Sequence, residues 1–147
     1  GHAWGAPQDT DPEVLMRAIR AFENYAEWRL QTNLTPVETE KRLISEKYRF
    51  GGTLDAMLVS GRLSLGDWKS SNSVYQDYLI QLAAYGILWE ENFPERPIEG
   101  GYHLIRFAKD APDFAHYHFG ELADAAEMFL LLRRAYDIDK ALKARVR

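Results

Sequence analysis

Apolar residues at Leu15, Ala18, Ile19, Phe22, Ala26 and Leu30 recur at helical spacing and predict a helix over about 11–31. Asp11 suits the N-cap, Pro12 the first helical position, and Glu13 the positive helix end. Pro36 closes the connection that follows. From 37 to 44 the period drops to two, with Val37, Thr39, Lys41 and Leu43 alternating against Glu38, Glu40, Arg42 and Ile44, which reads as a strand. Gly51-Gly52 reads as a turn, 53–59 as an apolar-rich strand, Ser60-Gly61 as a tight turn and 62–69 as a third strand. Three strands with short links form an antiparallel meander.

A Ser- and Asn-rich loop at 70–73 leads into a second helix at about 75–91, whose buried side is marked by Tyr78, Leu79, Leu82, Ala83, Gly86 and Trp89. Pro94 and Pro97 stop it. Residues 101–107 and 114–119 form a hairpin around Lys109-Asp110-Ala111-Pro112-Asp113. A last helix at about 121–142 runs on Leu122, Ala125, Ala126, Phe129, Leu132, Arg133 and Tyr136. No repeat, low-complexity tract or composition break divides the chain, so 1–147 is expected to be one domain. The order α-β-β-β-α-β-β-α gives an α/β or α+β sandwich with a central sheet flanked by helices.

Composition changes this picture little: 46% hydrophobic and 27% charged residues are globular values, and 147 residues can bury a core. The absence of cysteine excludes disulfides, thiolate nucleophiles and cysteine-ligated metal centres, and fits a reducing compartment. No apolar run approaches the roughly 20 residues that span a bilayer, and no signal-peptide pattern opens the chain. His2 stands in a Gly-His start and carries no weight. A net charge of −4 argues against an all-over nonspecific DNA binder. It is compatible with a carboxylate site neutralised by bound cations.

The candidate chemistry lies on the meander. Asp55 falls within the second strand and Asp67 near the end of the third, where neighbouring strands can bring two carboxylates onto one divalent cation. Asp67 and Lys69 are two apart and share a face, while Trp68 points away toward a core. An acid beside a lysine makes sense if the acid binds a hard cation and the lysine orients a water or stabilises phosphate charge. On spacing alone, a plain same-face or cross-strand salt bridge explains the pair equally well.

The stretch from Gly51 to Gly86, GGTLDAMLVSGRLSLGDWKSSNSVYQDYLIQLAAYG, resembles the core of the PD-(D/E)XK nuclease superfamily, in its RecB-like, phage-type exonuclease branch. The matching motifs are Gly52 to Asp55, Asp67-Trp68-Lys69, Tyr78, and Gln81 to Tyr85, with the PVETE segment at 36–40 and the last helix similar on the flanks. The resemblance implies a restriction-endonuclease-like core. It also implies that Asp55, Asp67 and the Trp68 backbone carbonyl ligate Mg²⁺ or Mn²⁺, and that Lys69 positions the attacking water and stabilises the transition state. Gln81 and Tyr85 would contact DNA or hold the site together. It further implies cytoplasmic action on DNA in a bacterial or phage-infected cell.

One departure bears on activity. Members of this superfamily carry a further acidic residue or histidine on a helix before the first strand, and in phage-type members that helix, with a Gly-x-x-x-His-like motif, lies upstream of the one predicted here. The last ligand is then outside this sequence, or is Glu23 on the first helix, or Glu40 at the start of the strand. His116 and His118 could pair on a metal, but no third ligand is evident beside them and ordinary histidines are the expectation. Lys41, Arg42, Lys47 and Arg49 could track a phosphate backbone or simply form a solvated face. The expected activity is metal-dependent phosphodiester hydrolysis, as an exonuclease on DNA ends or single strands. The alternative is a catalytically silent nuclease-like module that binds DNA or protein.

Overall fold

A computed structural model describes residues 11–71, 76–108 and 113–147. Its elements are α1 (Pro12–Gln31), β1 (Thr35–Ser45), β2 (Phe50–Ser60), β3 (Arg62–Ser70), α2 (Gln76–Asn92), β4 (Tyr102–Phe107), β5 (Phe114–Phe119) and α3 (Ala123–Arg145). This is the predicted order. Most of the polar loop before α2 and most of the β4–β5 connection, including Lys109 to Pro112, lie outside the described residues.

The five strands form one mixed sheet in the order β1-β2-β3-β4-β5. β1, β2 and β3 are the antiparallel meander, β3 and β4 run parallel, and β4 and β5 close an antiparallel hairpin. The parallel step requires a crossover, which α2 supplies. Helices flank the sheet, and two apolar clusters separate accordingly. One joins Leu43, Leu54, Met57, Leu65 and Leu104 of the strands to Leu82, Leu88 and Trp89 of α2. The other joins Ala56, Leu58 and Ile105 to Trp28 of α1 and to Leu34, with Trp68 and Phe107 packed against it.

Four sequence expectations are corrected. Gly51-Gly52 is not the turn: both lie in β2, opposite Ile44 and Leu43, and the chain reverses over 46–49 with Arg49 at φ +58°. Glycine at 52 serves close approach, since a Cβ there would stand 3.1 Å from the Tyr85 ring and 3.3 Å from Leu88. Pro36 lies inside β1, which tolerates it as an edge strand, and the register shifts between Pro36 and Glu38. That shift breaks the simple alternation, leaving Val37 exposed while Leu43 is buried.

The third and fourth corrections concern the helices. In α1 the residues at helical spacing are not the buried face: Phe22 is 71% and Leu30 82% exposed, whereas Asn24 and Trp28 are buried. Trp28 sets the rotation of the helix, because its indole donates to His116 Nδ1 at 3.0 Å and its ring meets Trp68 edge-on at 5.7 Å. In α3, Phe129 packs on Phe50 at 4.6 Å and the Arg133 guanidinium donates to the Arg49 carbonyl at 2.8 Å, but Leu132 and Tyr136 are exposed.

Candidate functional site

Register brings Asp55 and Asp67 together. Ala56 pairs with Gly66 across β2 and β3, so the next residues outward are the two aspartates. Asp55 Oδ2 accepts from the Trp68 backbone N–H at 3.0 Å, which holds that carboxylate over β3. Asp67 is 2% exposed, and its Oδ2 lies 3.2 Å from Lys69 Nζ without forming a hydrogen bond of good geometry. The Lys69 ammonium is held from α2 as well: it donates to Gln81 Oε1 at 2.5 Å and sits 5.0 Å from the centre of the Tyr78 ring. Gln81 Nε2 in turn donates to the Tyr85 hydroxyl at 2.8 Å. A single chain of contacts thus runs Asp67–Lys69–Gln81–Tyr85.

The electrostatics follow from burial. Desolvation, then a side-chain hydrogen bond and like charge from Asp55, push the Asp67 carboxyl up to about 7, against the opposing pull of Lys69. Burial also raises the Tyr85 phenol, with Asp67 and Asp55 adding to it. Two carboxylates in contact must share a proton or a cation. A buried carboxylate oxygen with no hydrogen bond is the kind of atom a divalent ion would satisfy. The residues present therefore fit a hard divalent cation.

The other candidates stand apart. Glu23 is exposed on α1, on the surface shared with Glu27, Leu30 and Phe114. Glu40 occupies the β1 position opposite Asp55, but it is exposed and takes φ +49°. Among the described residues, no group of three or more histidines, aspartates and glutamates is arranged to hold a metal. Of the four basic residues near the first hairpin, Lys41 pairs with Glu38 at 3.6 Å and the Arg49 carbonyl anchors α3.

The histidines have a partner that the sequence did not suggest. His103 of β4 lies directly across from His118, and its Nδ1 is 2.8 Å from His116 Nε2. Because the Trp28 indole only donates, His116 Nδ1 accepts, its proton sits on Nε2, and His103 Nδ1 is the acceptor. Both nitrogens of His116 are then engaged in hydrogen bonds, to Trp28 and to His103. Burial, then the neighbouring imidazoles, lower His103 to about 4; His116 is lowered for the same reasons. A strand-pairing register, not visible in the local spacing, was the missing signal.

No protein-family model matches the chain, and no curated protein does either. Among solved structures, the "Putative exonuclease" from Eubacterium rectale is similar with a TM-score of 0.50 at 14% identity, over 72% of this chain and 44% of that one. A second, SSO0001, gives a TM-score of 0.42 at 21% identity, over 83% of this chain and 61% of that one. The chain spans less than half the length of the first. What it shares with that structure is the fold. That shared fold is α+β, a five-stranded mixed sheet flanked by helices. No helix among the described residues is long and apolar enough to cross a membrane.

Proposed function

We propose that the chain is a Mg²⁺- or Mn²⁺-dependent deoxyribonuclease of the PD-(D/E)XK type, acting as an exonuclease on DNA ends or single strands. The observation that carries this reading is the buried Asp67, in contact with Asp55 on one side and with a lysine locked by Gln81 on the other. The fold shared with a structure named for exonuclease activity supports it.

Asp55 and Asp67, with the Trp68 carbonyl, would hold the cation, which when bound lowers the pKa of a coordinated water and neutralises phosphate charge. Lys69 holds its ammonium beside Asp67, where it can orient a water and stabilise charge developing on a non-bridging phosphate oxygen. Gln81 keeps that ammonium from swinging away by accepting one of its protons, and Tyr85 fixes Gln81 by accepting from its amide.

Asp67→Ala and Lys69→Ala are each expected to lower Mg²⁺-dependent digestion of linear DNA on the order of 100-fold or more, with far-UV circular dichroism unchanged. Activity equal to wild type in either variant would sink the mechanism. Comparing end-labelled linear DNA with covalently closed circles separates exonuclease from endonuclease action. A second reading is favoured by one observation, that only two carboxylates meet at the site among the described residues. In that reading the chain is a silent module, and wild type would retain DNA in a gel shift with Mg²⁺ or Mn²⁺ while releasing no nucleotides.

A further inference from the structure

α3 holds to the body of the protein by its first half only. Leu122, Ala126 and Phe129 line the groove against α2 or touch β2, and Arg133 reaches the Arg49 carbonyl. From 134 to 147 every residue is exposed. An isolated helix of that length is marginal in water, and its stability ordinarily comes from packing of an apolar face. The exposed face is apolar and regular. Met128, Leu131, Ala135, Ile138 and Leu142 follow one another at spacings of three, four, three and four, and Leu131 and Leu142 are 60% and 56% exposed. This is the three-four spacing of a and d positions in a coiled coil, kept over two heptads.

We propose that α3 is a dimerisation helix that pairs in parallel with α3 of a second copy of this chain. The flanking charges decide the occupant. With Met128, Ala135 and Leu142 at a, and Leu131 and Ile138 at d, Arg134 falls at g and Asp139 at the following e. A parallel pair sets Arg134 of one helix against Asp139 of the other, twice by symmetry. The seam is therefore complementary to itself in shape and in charge. The remaining ion pairs on this helix, Arg133 with Asp137 and Lys143 with Asp139, run along the helix.

Sedimentation velocity on the whole chain tests this. Wild type is expected to run as a dimer of about 34 kDa, twice the 17.0 kDa of the chain, at tens of micromolar, and Ile138→Asp and Leu131→Asp as folded monomers by circular dichroism. A wild-type monomer at these concentrations overturns the proposal, as does a dimer that both variants leave intact. The charge pairing has its own readout. Arg134→Asp and Asp139→Arg should each weaken self-association by about fivefold or more, and an equimolar mixture of the two should recover it as a heterodimer. Homodimers of both variants as tight as wild type overturn the parallel pairing.

Discussion

Burial and the neighbouring Asp55 hold the Asp67 carboxyl at about 7 rather than 3.8, and a shift of that kind has a sign that stability measurements read. Between about pH 4 and pH 7 the folded chain keeps a proton that the unfolded chain has lost. Stability therefore falls as pH rises through this window, by on the order of 4 kcal/mol if nothing else titrates. Asp67→Asn removes the ionisation and keeps the shape. At pH 8 in EDTA it should stabilise the protein by on the order of 2 kcal/mol, less than the full amount because the Lys69 contact is lost, while abolishing digestion. A urea midpoint at pH 8 equal to or below that of wild type would count against this account of the site. Period two put Asp67 and Lys69 on one face, but only the resemblance of the Gly52–Asp55 and Asp67–Lys69 motifs to a nuclease core singled out the aspartates and the lysine as a site. The resemblance also named Gln81 and Tyr85, but not their hydrogen-bond partners, which depend on the crossover of α2 over those strands.

At the scale of elements, α1 docks through Trp28, with Asn24 buried beside it and Tyr25 near Trp68, and its docking runs into the imidazoles of β4 and β5. His103 at about 4 is neutral in the folded chain near pH 6, and His116 is shifted in the same direction, whereas unfolded histidine takes up a proton near 6.5. This contribution is intact above about 6.5 and is lost as pH falls toward 4, opposite in slope to that of Asp67. The two partly cancel in the wild type. Asp67→Asn should expose the imidazole slope, seen as thermal midpoints that fall steadily from pH 7 to pH 4, and adding His103→Gln should flatten it. A flat profile already in Asp67→Asn would show that the histidines do not titrate between folded and unfolded states. Element types and order were legible, because the spacing of apolar residues still separates helices from strands even where a register shift breaks the alternation in β1. Rotation was not. The apolar stripe of α1 through Phe22 and Leu30 faces outward, since a buried indole with a hydrogen-bond acceptor outweighs several smaller apolar residues.

The whole molecule carries a net charge of −4 and presents two carboxylates where a phosphate would have to come. On the proposed function, once both carboxylates are ionised, above about pH 7, a phosphate can approach them only with a cation between. With only two carboxylates meeting at the site among the described residues, a magnesium-sized ion would in turn keep several coordination positions for water or for phosphate oxygens. Ion and DNA should therefore strengthen each other's binding, and by linkage the factor must be the same in both directions. Mn²⁺ titrated alone should bind weakly, in the millimolar range. In the presence of a short DNA with non-hydrolysable phosphorothioate linkages the same titration should shift by about tenfold or more. Gel-shift affinity for that DNA should improve by the same factor on adding Mn²⁺, and both effects should vanish in Asp67→Ala. Mn²⁺ affinity unchanged by DNA would mean that the carboxylates and the nucleic acid do not meet at one centre. A shift in both titrations without release of nucleotides would instead identify the site as a metal-gated DNA clamp, which is the silent reading with its ligand set complete only in the complex.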